Sequence, residues 1–164
     1  MKKIPFLCLS FLLAAGLATS APAQTPSSPL KSAMDHYLNI QNALARDSME
    51  NVAANANALA ALARENQIEG LPETAAEEAA ELAEARHISQ AREAFKPLSR
   101  SMIACLKAEP AHSGTYYEFY CRPAKASWLQ TGDMAMNPYL GWRAERPTWG
   151  WASSAVEKGE FAGR

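Results

Sequence analysis

Cys105 and Cys121 are the side chains in this sequence best equipped for covalent or metal chemistry, because a thiolate can bridge, coordinate a soft metal or attack. Their spacing leaves three readings open. One is a disulfide closing a short loop, which is the default in an oxidising compartment. The others are a buried thiol at Cys105 and a metal-binding thiolate at Cys121; without a C-x-x-C pair, spacing alone does not choose. The histidines are dispersed. His36 and His87 fall where helix surfaces are expected, and His112, beside Ser113 and Gly114, falls in a loop. There is no H-E-x-x-H, no G-x-S-x-G elbow and no glycine-rich phosphate loop, so the chain reads as a non-enzyme without catalytic residues. Glu73, Glu77, Glu78, Glu81 and Glu84 stack on neighbouring helical turns; with no inward histidine beside them, they read as a solvated face.

The compartment comes from the first residues. Lys2 and Lys3 precede an apolar run from Ile4 to Leu17, and Ala21-Pro22-Ala23 supplies small residues for cleavage after Ala23. This is the pattern of a secretory signal peptide, giving an exported, periplasmic protein. The apolar run is shorter than the roughly 20 residues needed to span a bilayer, and no later segment is apolar enough to span. Cys8 is removed with the leader. Of 16 basic and 17 acidic residues, two lysines leave with it, and 14 minus 17 gives a net charge of −3. That balance argues against nucleic acid or anionic membrane as a partner. The charge is uneven: residues 24–121 carry 8 basic and 13 acidic groups, residues 122–164 carry 6 and 4.

The elements that must position the cysteines are mainly helices. Residues 24–29 read as a Pro/Ser-rich flexible tail. Met34, Tyr37, Leu38 and Leu44 mark a first helix over residues 30–46. Asp47 and Glu50 read as a capping box for a second helix over 48–66, with Val52, Ala56, Leu59, Leu62 and Ala63 inward. Gly70 and Pro72 end it, and an alanine-rich third helix follows over 73–86. Ile88, Ala91, Phe95, Leu98, Met102 and Cys105 recur at steps of three and four, a core seam on a fourth helix over 89–108. Pro97 inside it predicts a kink or break near Phe95. Alternation over Thr115 to Cys121 predicts a strand with Tyr117, Phe119 and Cys121 on one face. Beyond it, Thr131-Gly132-Asp133 and Asn137-Pro138-Tyr139 predict a compact, irregular lobe. The expected fold is all-α, a four-helix bundle-like domain with a small irregular or β-containing C-terminal lobe.

Four blocks carry a resemblance: Tyr37-Leu38-x-Ile40-Gln41-x-Ala43-Leu44-Ala45-x-Asp47-Ser48, Ala91-Arg92-x-Ala94-Phe95-x-x-Leu98-Ser99, Tyr120-Cys121-x-x-Ala124-Lys125-x-x-Trp128-Leu129-Gln130, and Asn137-Pro138-Tyr139-x-Gly141. Over residues 30–141 the chain resembles a bacterial exported domain family of unknown function, the helical domain also found at the C-terminus of periplasmic adaptor subunits of copper and silver efflux pumps. The resemblance implies Cu(I) binding or an efflux accessory role, through a Cys-x-Met-Ala motif and a Met-x-x-Cys-Gly that follows the Asn-Pro-Tyr block. Cys121 matches the first cysteine. Pro123 stands at the methionine position, and Trp142 to Pro147 contain neither Met nor Cys, so the ligand set is eroded.

Met134 and Met136 could share a face and, with Cys121, form a three-sulfur site of a kind Cu(I) accepts, with Cys105 as a further helper; methionine as core filler is the competing reading. Residues 142–164 diverge from the family pattern. They read as a partly disordered tail, a partner-binding aromatic tail around Trp142, Trp149 and Trp151, or the product of a frameshift. Two functions follow: a periplasmic copper-handling or efflux accessory protein, or a metal-free helical interaction module that docks on another envelope protein.

Overall fold

The computed structural model describes residues 28–66, 68–108, 115–141 and 156–162. The leader, His112 and Trp142 to Trp151 lie outside them. Four helices come first: α1 (Pro29–Ala45), α2 (Val52–Glu65), α3 (Ala75–Ala83) and α4 (Ile88–Ala108). Strands β1 (Thr115–Cys121) and β2 (Ala126–Gln130) follow, and β3 (Val156–Ala162) completes an antiparallel sheet in the order β2-β1-β3. The expected helical domain with a β-containing lobe is what forms.

Local chemistry sets the boundaries. Pro29 opens α1 at a position where a missing N–H costs nothing, and Ser28 Oγ accepts the Lys31 N–H at 3.2 Å. The helix therefore starts with residues assigned to the flexible tail. The capping box expected at Asp47 does not form. Asp47 and Asn51 both take left-handed backbone angles (φ 56° and 58°), α2 starts only at Val52, and the Asp47 carboxylate is drawn away to Arg92. The fourth helix runs from Ile88 to Ala108 without a break at Pro97, because Phe95, Leu98 and Met102 are all packed in the core on either side of it. Trp128-Leu129-Gln130 lies in β2, paired with Tyr117 to Phe119 of β1, and gives the C-terminal lobe its β content.

The core joins helices to sheet through a file of aromatic rings. Tyr37 of α1 stacks on Phe95 of α4 at 5.1 Å between centroids, and Phe95 meets Tyr139 at 6.0 Å. Tyr139 meets Trp128 edge-on at 6.1 Å, and Trp128 stacks on Phe119 at 5.3 Å. Offset and edge-on contacts of this kind stabilise beyond the area they bury. The seam read from α4 faces this core as expected: Ala91, Phe95, Leu98, Met102 and Cys105 are all buried.

Candidate functional site

Burial separates the sulfurs that the sequence offered as ligands. Cys105 and Cys121 are both reduced thiols, so the expected disulfide is not formed. The physical reason is placement. Cys105, on the last turns of α4, donates its S–H to the Glu69 carbonyl in the α2–α3 connection at 3.3 Å. Cys121 ends β1 inside the hydrophobic core, across from Ala126 and Val156. Both are 0% exposed, whereas Met134 is 80% exposed and Met136 half-buried. Thiols sealed in a core and a thioether in solvent are not a Cu(I) ligand set, so the residues present do not fit the metal site the resemblance implies. Among the described residues no group of three or more His, Cys, Asp and Glu could hold a metal ion.

The polar residues of the family-like blocks have another use: they bolt the C-terminal lobe to the helices. Gln130 spends its whole amide on Trp128 and on the loop that follows β2. Its Oε1 accepts from Trp128 Nε1 and the Met136 N–H, both at 2.9 Å, and its Nε2 donates to the carbonyls of Gly132 and Met134, both at 2.7 Å. Gln41 of α1 then donates to the Met136 carbonyl at 2.6 Å. Asn137 Oδ1 accepts the N–H groups of Tyr139 and Leu140, forming the turn that drives Tyr139 into the ring file. Arg92 donates to the Leu44 carbonyl at 2.9 Å, the Pro138 carbonyl at 2.8 Å and the Asp47 carboxylate, tying the end of α1 to the same turn.

Burial pushes the Tyr139 phenol well above its ordinary range, and its O–H donates to the Ser127 carbonyl. Burial also pushes Tyr37 up, opposed by its bonds to Ser99 and the Leu129 N–H. Neither phenol is equipped to give up a proton near neutrality.

What remains open to solvent is surface. Between α4 and the β1–β2 hairpin lies a cleft of about 290 Å³. Its helical wall carries Lys96, Arg100, Ile103 and Lys107, and its sheet wall Glu118, Tyr120 and Lys125. The helical residues follow a spacing of four, three and four, so they form one stripe. That signal was legible in the sequence and went unread, because the α4 seam was read for its core face alone. The partner wall was not legible, since it needs the hairpin folded back on α4. A larger cleft of about 510 Å³ lies between α1 and α2, lined by Asn39, Asn42, Asn51 and Asn55 with Arg46 and Glu50 in balance. His36, placed on a helix surface by the sequence, bonds Asn55 Oδ1 at 2.9 Å beside that cleft. The exposed glutamates of α3 are a solvated face as expected, apart from Glu78, which accepts from Ser101 at 2.6 Å.

Fold and site together define a small helical domain whose family-like polar blocks are structural and whose accessible chemistry is a cationic cleft. The family model described as "Protein of unknown function (DUF3347)" matches residues 33–114, half of the chain, and the chain belongs to that family. The matched span runs from within α1 to the residue before β1, so the hairpin lies beyond it. No curated protein and no solved structure matches the chain.

Proposed function

We propose that this protein is an exported, metal-free docking module of the cell envelope, serving as an accessory beside metal-efflux machinery rather than carrying the metal itself. The observation that carries this reading is the commitment of Gln41, Arg92, Gln130 and Asn137 to internal bonds, with Cys121 inside the core. A sequence that spends its polar motif residues on holding a lobe in place maintains a shape, and a maintained shape with a charged cleft serves recognition. The leader pattern of residues 1–23 supports export. No helix among the described residues is long and apolar enough to cross a membrane.

The test has two arms. The reduced protein, titrated with Cu(I) against a competing chromophoric chelator, is expected to leave the chelator loaded; tight one-to-one binding lost in Cys121→Ser would overturn the metal-free reading. A photo-crosslinking residue at position 125, installed in living cells, is expected to give a discrete adduct that the same residue at position 77 on α3 does not. Equal or absent adducts from both positions would remove the docking reading.

A further inference from the structure

From the charge and shape of the α4–hairpin cleft we infer that its occupant is an acidic, extended peptide segment carrying one apolar side chain; this rests on the docking reading above. Four cations line the cleft, Lys96, Arg100, Lys107 and Lys125, against one carboxylate, Glu118. This excess stands out because residues 24–121, which supply three of the four cations, carry 13 acidic to 8 basic groups overall. Two of the cations are already engaged: Lys96 with Glu93 at 2.7 Å and Lys107 with Glu118 at 3.2 Å. Arg100 and Lys125 enter none of the four ion pairs among the described residues, and both are exposed. The cleft therefore holds two cations available to a ligand, one on each wall.

Geometry selects a peptide over a single anion. Lys96 and Lys107 are eleven residues apart on one helical face, so the stripe is about 16 Å long, the reach of roughly five residues of extended chain. A phosphate would meet one or two of these cations and leave the others. Ile103, 7% exposed, sits between Arg100 and Lys107, and Tyr120 faces it from β1, so the middle of the stripe has an apolar floor. Carboxylates on either side of one central apolar side chain match that order. The cleft is also concave between a helix and a hairpin, where a flat membrane surface would touch only its rims.

Lys125 supplies the second observation. It closes the β1–β2 turn in the left-handed region at φ 51°, where glycine would sit without strain. What lysine adds at that position is a cation over the cleft. Lys125→Gly therefore separates structure from recognition: it relaxes the turn and deletes the charge.

The experiment is fluorescence anisotropy of the purified protein with a labelled heptapeptide of three acidic residues, one leucine and three acidic residues, and with its glutamine counterpart. The acidic peptide is expected to bind and the glutamine peptide not to. Affinity should weaken at least tenfold in Arg100→Glu/Lys125→Glu and several-fold in Lys125→Gly, whose thermal midpoint is expected to hold or rise, while Glu77→Lys on α3 leaves binding unchanged. Binding indifferent to the two cleft variants overturns the inference. So does full competition by inorganic phosphate at equal charge concentration, which marks a simple anion site. Cleft-dependent binding to phosphatidylglycerol vesicles without peptide binding marks a membrane surface, and salt-sensitive dimerisation lost in the same variants marks a second copy's acidic α3 as the occupant; either overturns it. If the peptide fails while position 125 still crosslinks a partner in cells, the docking module stands and its proposed ligand chemistry falls.

Discussion

The hydroxyls of Tyr37, on α1, and Ser99, on α4, lie 2.6 Å apart in the core, and the direction of their shared proton is fixed by their neighbours. Tyr37 accepts the Leu129 N–H at 3.0 Å, and Ser99 donates its own proton to the Ser127 carbonyl at 2.8 Å. The tyrosine must therefore donate to the serine. A relay leaves β2 at Leu129, crosses two helices and returns to β2 at Ser127. Tyr37→Phe strips a buried N–H of its acceptor and is expected to cost about 1–3 kcal/mol in urea unfolding. Combined with Ser99→Ala the loss should fall short of the sum of the single losses, since both break one relay. Additive losses would mean that the two hydroxyls act independently.

Gly141 is held at φ 66°, and a Cβ there would run into the carboxylate of Asp47 and the guanidinium of Arg92. Gly141→Ala combines left-handed strain with displacement of that pair, and should cost at least ~2 kcal/mol by thermal or chemical unfolding. A loss below ~0.5 kcal/mol would show that the Arg92 clamp is not needed to hold the turn.

Alkaline pH provides a third measurement. The phenols of Tyr37 and Tyr139 are raised above the ordinary value of about 10 by burial, so the fold keeps both protons while the unfolded chain begins to lose them. The folded state then binds more protons than the unfolded state, and stability falls as pH climbs above about 10, by about 1.4 kcal/mol per pH unit for each tyrosine. Below that point their contribution is intact. In Tyr139→Phe the slope of unfolding free energy against pH should be shallower by one tyrosine's share. An unchanged slope would place the lost protons elsewhere.

Both thiols are sealed, so a thiol-reactive dye should label neither Cys105 nor Cys121 in the native protein over a time in which both label fully in denaturant. Mass spectrometry of the native protein should find both Cys105 and Cys121 as free thiols. A mass lower by two hydrogens with native spectra would restore the disulfide.

The periodic parts of this fold were legible in the sequence and the non-local parts were not. The seam from Ala91 to Cys105 and the strand from Thr115 to Cys121 were visible because helix and strand periods are local properties. The capping box at Asp47 misled because Arg92, 45 positions away, competes for the same carboxylate. Cys105 and Cys121 read as partners because sequence spacing says nothing of which element each thiol faces. Gln130 was visible as a motif residue, yet its role needs the loop that it gathers around itself. For the cleft, half the pattern lay in the open as Lys96, Arg100, Ile103 and Lys107; the other half waited on a hairpin that no local rule folds against α4.

The relay through Tyr37 and Ser99 also sets an order of events. Its two helical members are synthesised well before Ser127 and Leu129, so α1 and α4 can assemble while their hydroxyls have no strand to bond. Closure comes only when residues 127–129 arrive and the hairpin docks. A copy cut short before residue 127 would keep its helices and yet hold a patch of unmet polar groups beside Phe95 where the lobe belongs, the kind of opening that proteases read. The fold thereby carries a mark of a docked hairpin, and survival against proteolysis selects the copies that bear it.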